Sequence, residues 1–145
     1  MFKRLGRSFS FAVCVCALAH ATPAHAIDQQ ERIQRAVDDL KTQLAITQPV
    51  QVSVVAANPK LFSVVPAEQQ RGTFLLSAQE DFAQGLNDAE LRAAVAHELG
   101  HVWIFTHFPF LQTEQLANDV ASRVVSRETL APLYEKVWKK VGGAD

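Results

Sequence analysis

Residues 87–106 read NDAELRAAVAHELGHVWIFT, a stretch patterned as a buried helix that nevertheless carries two histidines and a glutamate. Asn87 followed three residues later by Glu90 has the form of a capping box, which predicts where the helix starts. Behind it Leu91, Ala94, Val95, Leu99 and Val102 recur at helical spacing and predict a core-facing side. Burying ionisable groups on such a helix is costly unless they have partners. At about 100° per residue, His97 and His101 fall about 40° apart on one face, so both rings can point at one ion. Glu98 is offset from that pair and can reach a water rather than ligate. A zinc hydrolase needs this division of labour: the zinc acidifies a bound water and the glutamate takes its proton. Zn2+ held by His97 and His101, with Glu98 as the base, is the expectation.

A third protein ligand is required, and two residues compete. His107 stands six residues after His101, the spacing of H-E-x-x-H-x-x-G-x-x-H. There the glycine turns the chain so that the last histidine can swing back. This chain has Ile104 at that position, and a continuing helix puts His107 about 280° around from His97. The one methionine of the sequence is Met1, so the methionine turn that accompanies that motif is missing. Glu114 is the stronger candidate. In TEQLANDVASRVV, Glu114, Ala117, Asn118, Ala121 and Val125 share a helical face, and the two alanines permit close approach to the histidine helix. Asn118 is placed to accept the outer N–H of a metal-bound histidine.

The chain opens with MFKRLGRSFSFAVCVCALAHATPAHA, a basic start, an apolar run over 9–19 and an A-x-A site at 24–26. This is the layout of a secretory signal peptide, with an apolar run well short of the roughly 20 residues of a membrane span. Cleavage after Ala26 and a periplasmic or secreted mature chain are therefore expected, with 1–26 as signal peptide and 27–145 as one domain. Cys14 and Cys16 leave with the signal, so the mature chain has no disulfide chemistry. The remainder holds 11 basic against 15 acidic residues, a balance that gives no basic footprint for nucleic acid.

The rest of the chain predicts an α+β fold. A capping pattern at Asp28 and Glu31 leads into Ile33, Ala36, Val37, Leu40 and Leu44, an amphipathic helix. Three valine- and leucine-rich runs at 50–56, 61–65 and 73–77 read as strands of a small antiparallel sheet. Thr113 is a plausible cap for a helix running to about Ser126, and a last helix opens near Thr129 with Leu130, Leu133, Val137 and Val141 at helical spacing.

The run over 72–121, with H-E-x-x-H and Glu114 as its distinctive parts, resembles the gluzincin zinc metallopeptidases. It is most similar to the CaaX-prenyl-protease and HtpX type and to their small soluble minigluzincin relatives. The resemblance implies a zincin-like domain in which His97, His101 and Glu114 hold zinc, Glu98 is the catalytic base and a peptide or protein is the substrate. It also implies that the strand at 73–77 is an edge that pairs with extended substrate. Asn118 stands where the family has aspartate, a form that also resembles IrrE/ImmA-like metallopeptidases. Tyr134, His107, Arg123 and Arg127 remain open as donors to the developing oxyanion. Two other readings are a non-catalytic peptide-binding or chaperone-like module on the same scaffold, and a structural zinc site that recruits both His107 and Glu114.

Overall fold

The computed structural model describes residues 24–142, with side chains from Asp28 onward. The expected signal peptide lies outside the described residues except for 24–26, which open the first helix. That helix, α1 (Ala24–Gln43), buries Ile33, Ala36, Val37 and Leu40, and Leu44 is buried just beyond it. Because α1 begins upstream of Asp28, this residue lies inside the helix, and the capping box expected at 28–31 has no terminus to cap.

Among the described residues the strands β1 (Val50–Val55), β2 (Phe62–Pro66) and β3 (Phe74–Gln79) form one sheet in the order β1-β3-β2. β2 and β3 are an antiparallel pair, but β1 and β3 run parallel, so the sheet is mixed and not wholly antiparallel as expected. A parallel pair needs a crossover of a dozen or more residues. Residues 56–73 supply it and contain β2, which folds back on the far side of β3. The strand patterns alone could not distinguish this order from a simple meander, since alternation marks faces and not neighbours.

This order also moves the sheet's free edge. β3 is paired on both sides, so the strand at 73–77 cannot accept a substrate strand, and the edge beside the histidine helix is β2. Gln79 N–H bonds Leu61 O at 2.8 Å and Ala67 N–H bonds Thr73 O at 2.9 Å, which brackets the β2–β3 ladder. By antiparallel alternation, Phe62, Val64 and Pro66 then turn their backbone groups outward, away from β3.

Behind the sheet runs α3 (Asp88–His107), reached through the short α2 (Glu80–Gln84). Its capping box is formed: Asn87 accepts from the Glu90 N–H at 2.9 Å, and Glu90 accepts from the Asn87 N–H at 3.0 Å. Leu91, Ala94, Val95, Leu99 and Val102 are all buried, as the spacing requires. Glu90 also pairs with Lys136 at 2.7 Å, tying α5 (Arg127–Val141) to the start of α3. Arg32 does the same for α1 by bonding Asp88 and the Leu86 carbonyl.

After α3 a single 3-10 turn (Pro109–Leu111) reverses the chain into α4 (Glu114–Ala121). This helix is shorter than expected, because Ser126 caps α5 instead of ending α4. α4 lies against α3 where small residues meet: Ala117 and Ala121 are fully buried, and a Cβ on Gly100 would stand 2.5 Å from the Ala117 carbonyl oxygen. No rotamer relieves a backbone contact of that kind, so Gly100→Ala forces the two helices apart. Its expected cost is about 1–3 kcal/mol in urea unfolding; stability equal to the wild type would show that the approach is not a constraint.

Candidate metal centre

The contact between α3 and α4 brings one acidic side chain across to the two histidines. Thr113 caps α4 by accepting from the Leu116 N–H at 3.1 Å, which sets Glu114 as the first residue of the helix. Glu114 Oε2 lies 3.0 Å from His97 Nε2 and Oε1 lies 3.5 Å from His101 Nε2. The two histidine Nε2 atoms are 3.3 Å apart. Three donors held about 2.0–2.1 Å from one tetrahedral ion stand about 3.3–3.4 Å from each other. The 3.3 Å between the two Nε2 atoms fits that requirement, each Glu114 oxygen stands at a similar distance from one of the rings, and two imidazoles with a carboxylate suit a divalent metal. Both imidazoles are largely buried, whereas the Glu114 side chain is 78% exposed, so the cluster is open on one side.

The outer nitrogens of both rings are occupied. His97 Nδ1 meets Asn118 Oδ1 at 2.7 Å, the contact that the place of Asn118 on α4 predicts. His101 Nδ1 meets Gln112 Oε1 at 3.1 Å, and the Gln112 amide donates to the His101 carbonyl at 3.1 Å. Gln112 was not foreseen: it lies in the link before α4, where no periodicity tells which way a side chain points. With Nδ1 bonded outward, each ring presents Nε2 to the cluster.

His107 is elsewhere. α3 stays helical through it, its ring stacks on Trp103 at a centroid distance of 4.1 Å, and its Nδ1 lies 2.8 Å from the Trp103 carbonyl. Arg123 covers the Trp103 ring at 4.7 Å, and Arg127 is an exposed first residue of α5. Of the four residues weighed as oxyanion donors, Tyr134 alone lines the cavity at the cluster. Its hydroxyl is engaged by Asn118 and lies 3.2 Å from His97 Nδ1, on the side of that ring away from the cluster.

The cavity measures about 780 Å³ and runs from the cluster between β2, α3 and α5. Phe62, Phe74, Phe82 and Leu133 form apolar walls, and Lys60 supplies a cation at its side. The apolar side chains left exposed gather here: Val65, Phe105, Trp138 and Val141 all line the opening. Phe108, Phe110 and Leu111, in and beside the adjacent 3-10 turn, are exposed as well.

Glu98 is buried in this setting. Burial, and after it the negative charge of Glu114, pushes its carboxyl up to about 7, against the smaller opposing pull of Lys60 and the Val64 backbone N–H. Burial pushes His97 below its usual value, with the Asn118 hydrogen bond opposing, and this favours the neutral ring that a metal ligand must be. A carboxyl whose pKa is raised on folding stabilises the fold fully below about 4.5 and loses that contribution as pH rises through about 7. Metal-free wild type should therefore lose about 3 kcal/mol between pH 4.5 and 8 relative to Glu98→Gln, measured by urea unfolding. Parallel pH profiles for the two proteins would contradict this.

A helix bearing H-E-x-x-H thus lies behind a small mixed sheet, and a glutamate from the following helix completes the cluster, an α+β arrangement. Among solved structures, the chain is similar to the crystal structure of the metallopeptidase zymogen of Pyrococcus abyssi abylysin. The likeness has a TM-score of 0.54 and covers 76% of this chain and 95% of that one. At 15% identity it is a likeness of fold. No protein-family model and no curated protein matches the sequence.

Proposed function

We propose that the chain is an exported zinc metallopeptidase of the gluzincin type, akin to the small soluble relatives of the CaaX-prenyl-protease and HtpX group. The observation that carries the reading is the convergence of His97, His101 and Glu114 on one point, with a buried carboxyl, Glu98, beside it. When bound, zinc supplies a Lewis acid that acidifies water and polarises a carbonyl. Glu98 is the base. An acidity near neutrality lets its carboxylate take a proton from the attacking water and later return it to the leaving amine.

Substrate binding falls to β2 and the cavity. An extended peptide pairs with the outward carbonyls of Phe62, Val64 and Pro66, as a strand added to a sheet edge, while the Val64 N–H faces Glu98. Pro66 has no N–H to offer, which limits that pairing to the first part of the strand. The apolar walls take a bulky aliphatic or aromatic side chain, and the apolar rim shields the neighbouring residues of the substrate from water. No helix among the described residues is long and apolar enough to cross a membrane. The proposed location is the periplasm or the exterior, with the mature chain starting at Ile27.

Zinc-loaded protein is expected to cleave peptides with leucine or phenylalanine beside the scissile bond in preference to those with aspartate or glycine. Glu98→Gln should bind zinc one to one while its kcat falls by about 10²–10⁴. Undiminished turnover in that variant would refute Glu98 as the base. Peptides bound by wild type but never cut would favour the non-catalytic binding module. Mass spectrometry of the product exported by a bacterial host should find Ile27 at the amino terminus, and a retained full-length chain would refute the signal peptide.

A further inference from the structure

Tyr134 belongs to α5, a helix that contributes none of the clustered donors, yet its hydroxyl reaches behind one of them. It donates to Asn118 Oδ1 and lies 3.2 Å from His97 Nδ1, while Asn118 Oδ1 itself is 2.7 Å from that nitrogen. We propose that Tyr134 is a positioning residue for His97, acting with Asn118 as an uncharged clamp on Nδ1. The inference rests on the reading of His97 as a metal ligand.

A histidine that ligates through Nε2 must carry its proton on Nδ1, and Nδ1–H needs an acceptor. A carboxylate meets that need in either orientation, since both its oxygens accept. An asparagine does not. Rotated by half a turn it offers an NH2 group, two donors, to Nδ1. That orientation favours the opposite tautomer, with the proton on Nε2 where the ion must sit. The Tyr134 O–H aimed at Oδ1 stabilises the productive orientation, and the phenol oxygen is a second acceptor within reach of Nδ1–H. α5 is held firmly enough to do this, with Leu133 buried beside Tyr134 and Lys136 paired to Glu90 two residues further on. The clamp adds no charge, so the site as a whole is one unit less negative than it would be with a carboxylate in place of Asn118.

The test is a double-mutant cycle on zinc affinity, measured by chelator competition for wild type, Tyr134→Phe, Asn118→Asp and the double variant, with the unfolding midpoint of each metal-free protein beside it. Tyr134→Phe should weaken zinc binding about 10-fold or more. In the Asn118→Asp background the same change should cost no more than about threefold, because aspartate has no wrong orientation to adopt. A Tyr134→Phe affinity within about twofold of wild type would overturn the positioning role, as would an equal loss in both backgrounds, which is what a merely structural contribution of the phenol predicts. Wild-type protein that takes up no zinc would instead overturn the metal-centre reading on which the clamp rests.

Discussion

Gly100 has no side chain, and Ala117 leaves no room for one. The 2.5 Å that would separate a Cβ on Gly100 from the Ala117 carbonyl oxygen fixes how closely α4 can lie on α3. On that closeness depends whether a carboxylate at the first position of α4 reaches two imidazoles on α3. Glutamate has a short reach, and a helix displaced by the width of a methyl group would leave Glu114 a hydrogen-bond length from where it needs to be. The remaining architecture serves the same placement. The capping box of Asn87 and Glu90 sets the start of α3, Lys136 uses that same Glu90 to anchor α5, and Thr113 sets the start of α4.

The cluster combines groups that oppose one another electrostatically. Burial raises the cost of ionising Glu98, and repulsion from Glu114 adds to it, so the metal-free protein holds a proton near neutral pH on a carboxyl that α3 could otherwise have replaced with an apolar side chain. A dication held there would ease the conflict, because a positive charge nearby favours the ionised form of a carboxyl. The surroundings of Glu98 are the apolar walls of the cavity and the Val64 N–H, with Lys60 and Glu114 as the charges that act on it.

Much of this was legible in the residues themselves. The apolar spacing of α3 and the capping pair at Asn87 and Glu90 give the helix, and the 3.6-residue period puts His97 and His101 together and leaves His107 apart. Ala117 and Ala121 on the face of Glu114 show that α4 can come close, and Asn118 follows one turn on. The sheet order was hidden, because β1, β2 and β3 alternate alike and pairing partners leave no mark on a single strand. With the order went the identity of the edge beside the histidine helix, which is β2 and not β3. Gln112 and Tyr134 were equally hidden as partners of the histidines. One lies in an irregular link, and the other approaches from a helix whose docking angle is set by long-range packing of Leu130 and Leu133.

Zinc-edge X-ray absorption on the one-to-one zinc complex tests the central assignment most directly. The account predicts four light donors at about 2.0–2.1 Å, two of them imidazoles and one a carboxylate oxygen. The spectrum should be unchanged by His107→Ala and altered by Glu114→Ala. A third imidazole in the wild-type spectrum, or a spectrum indifferent to Glu114→Ala, would contradict it.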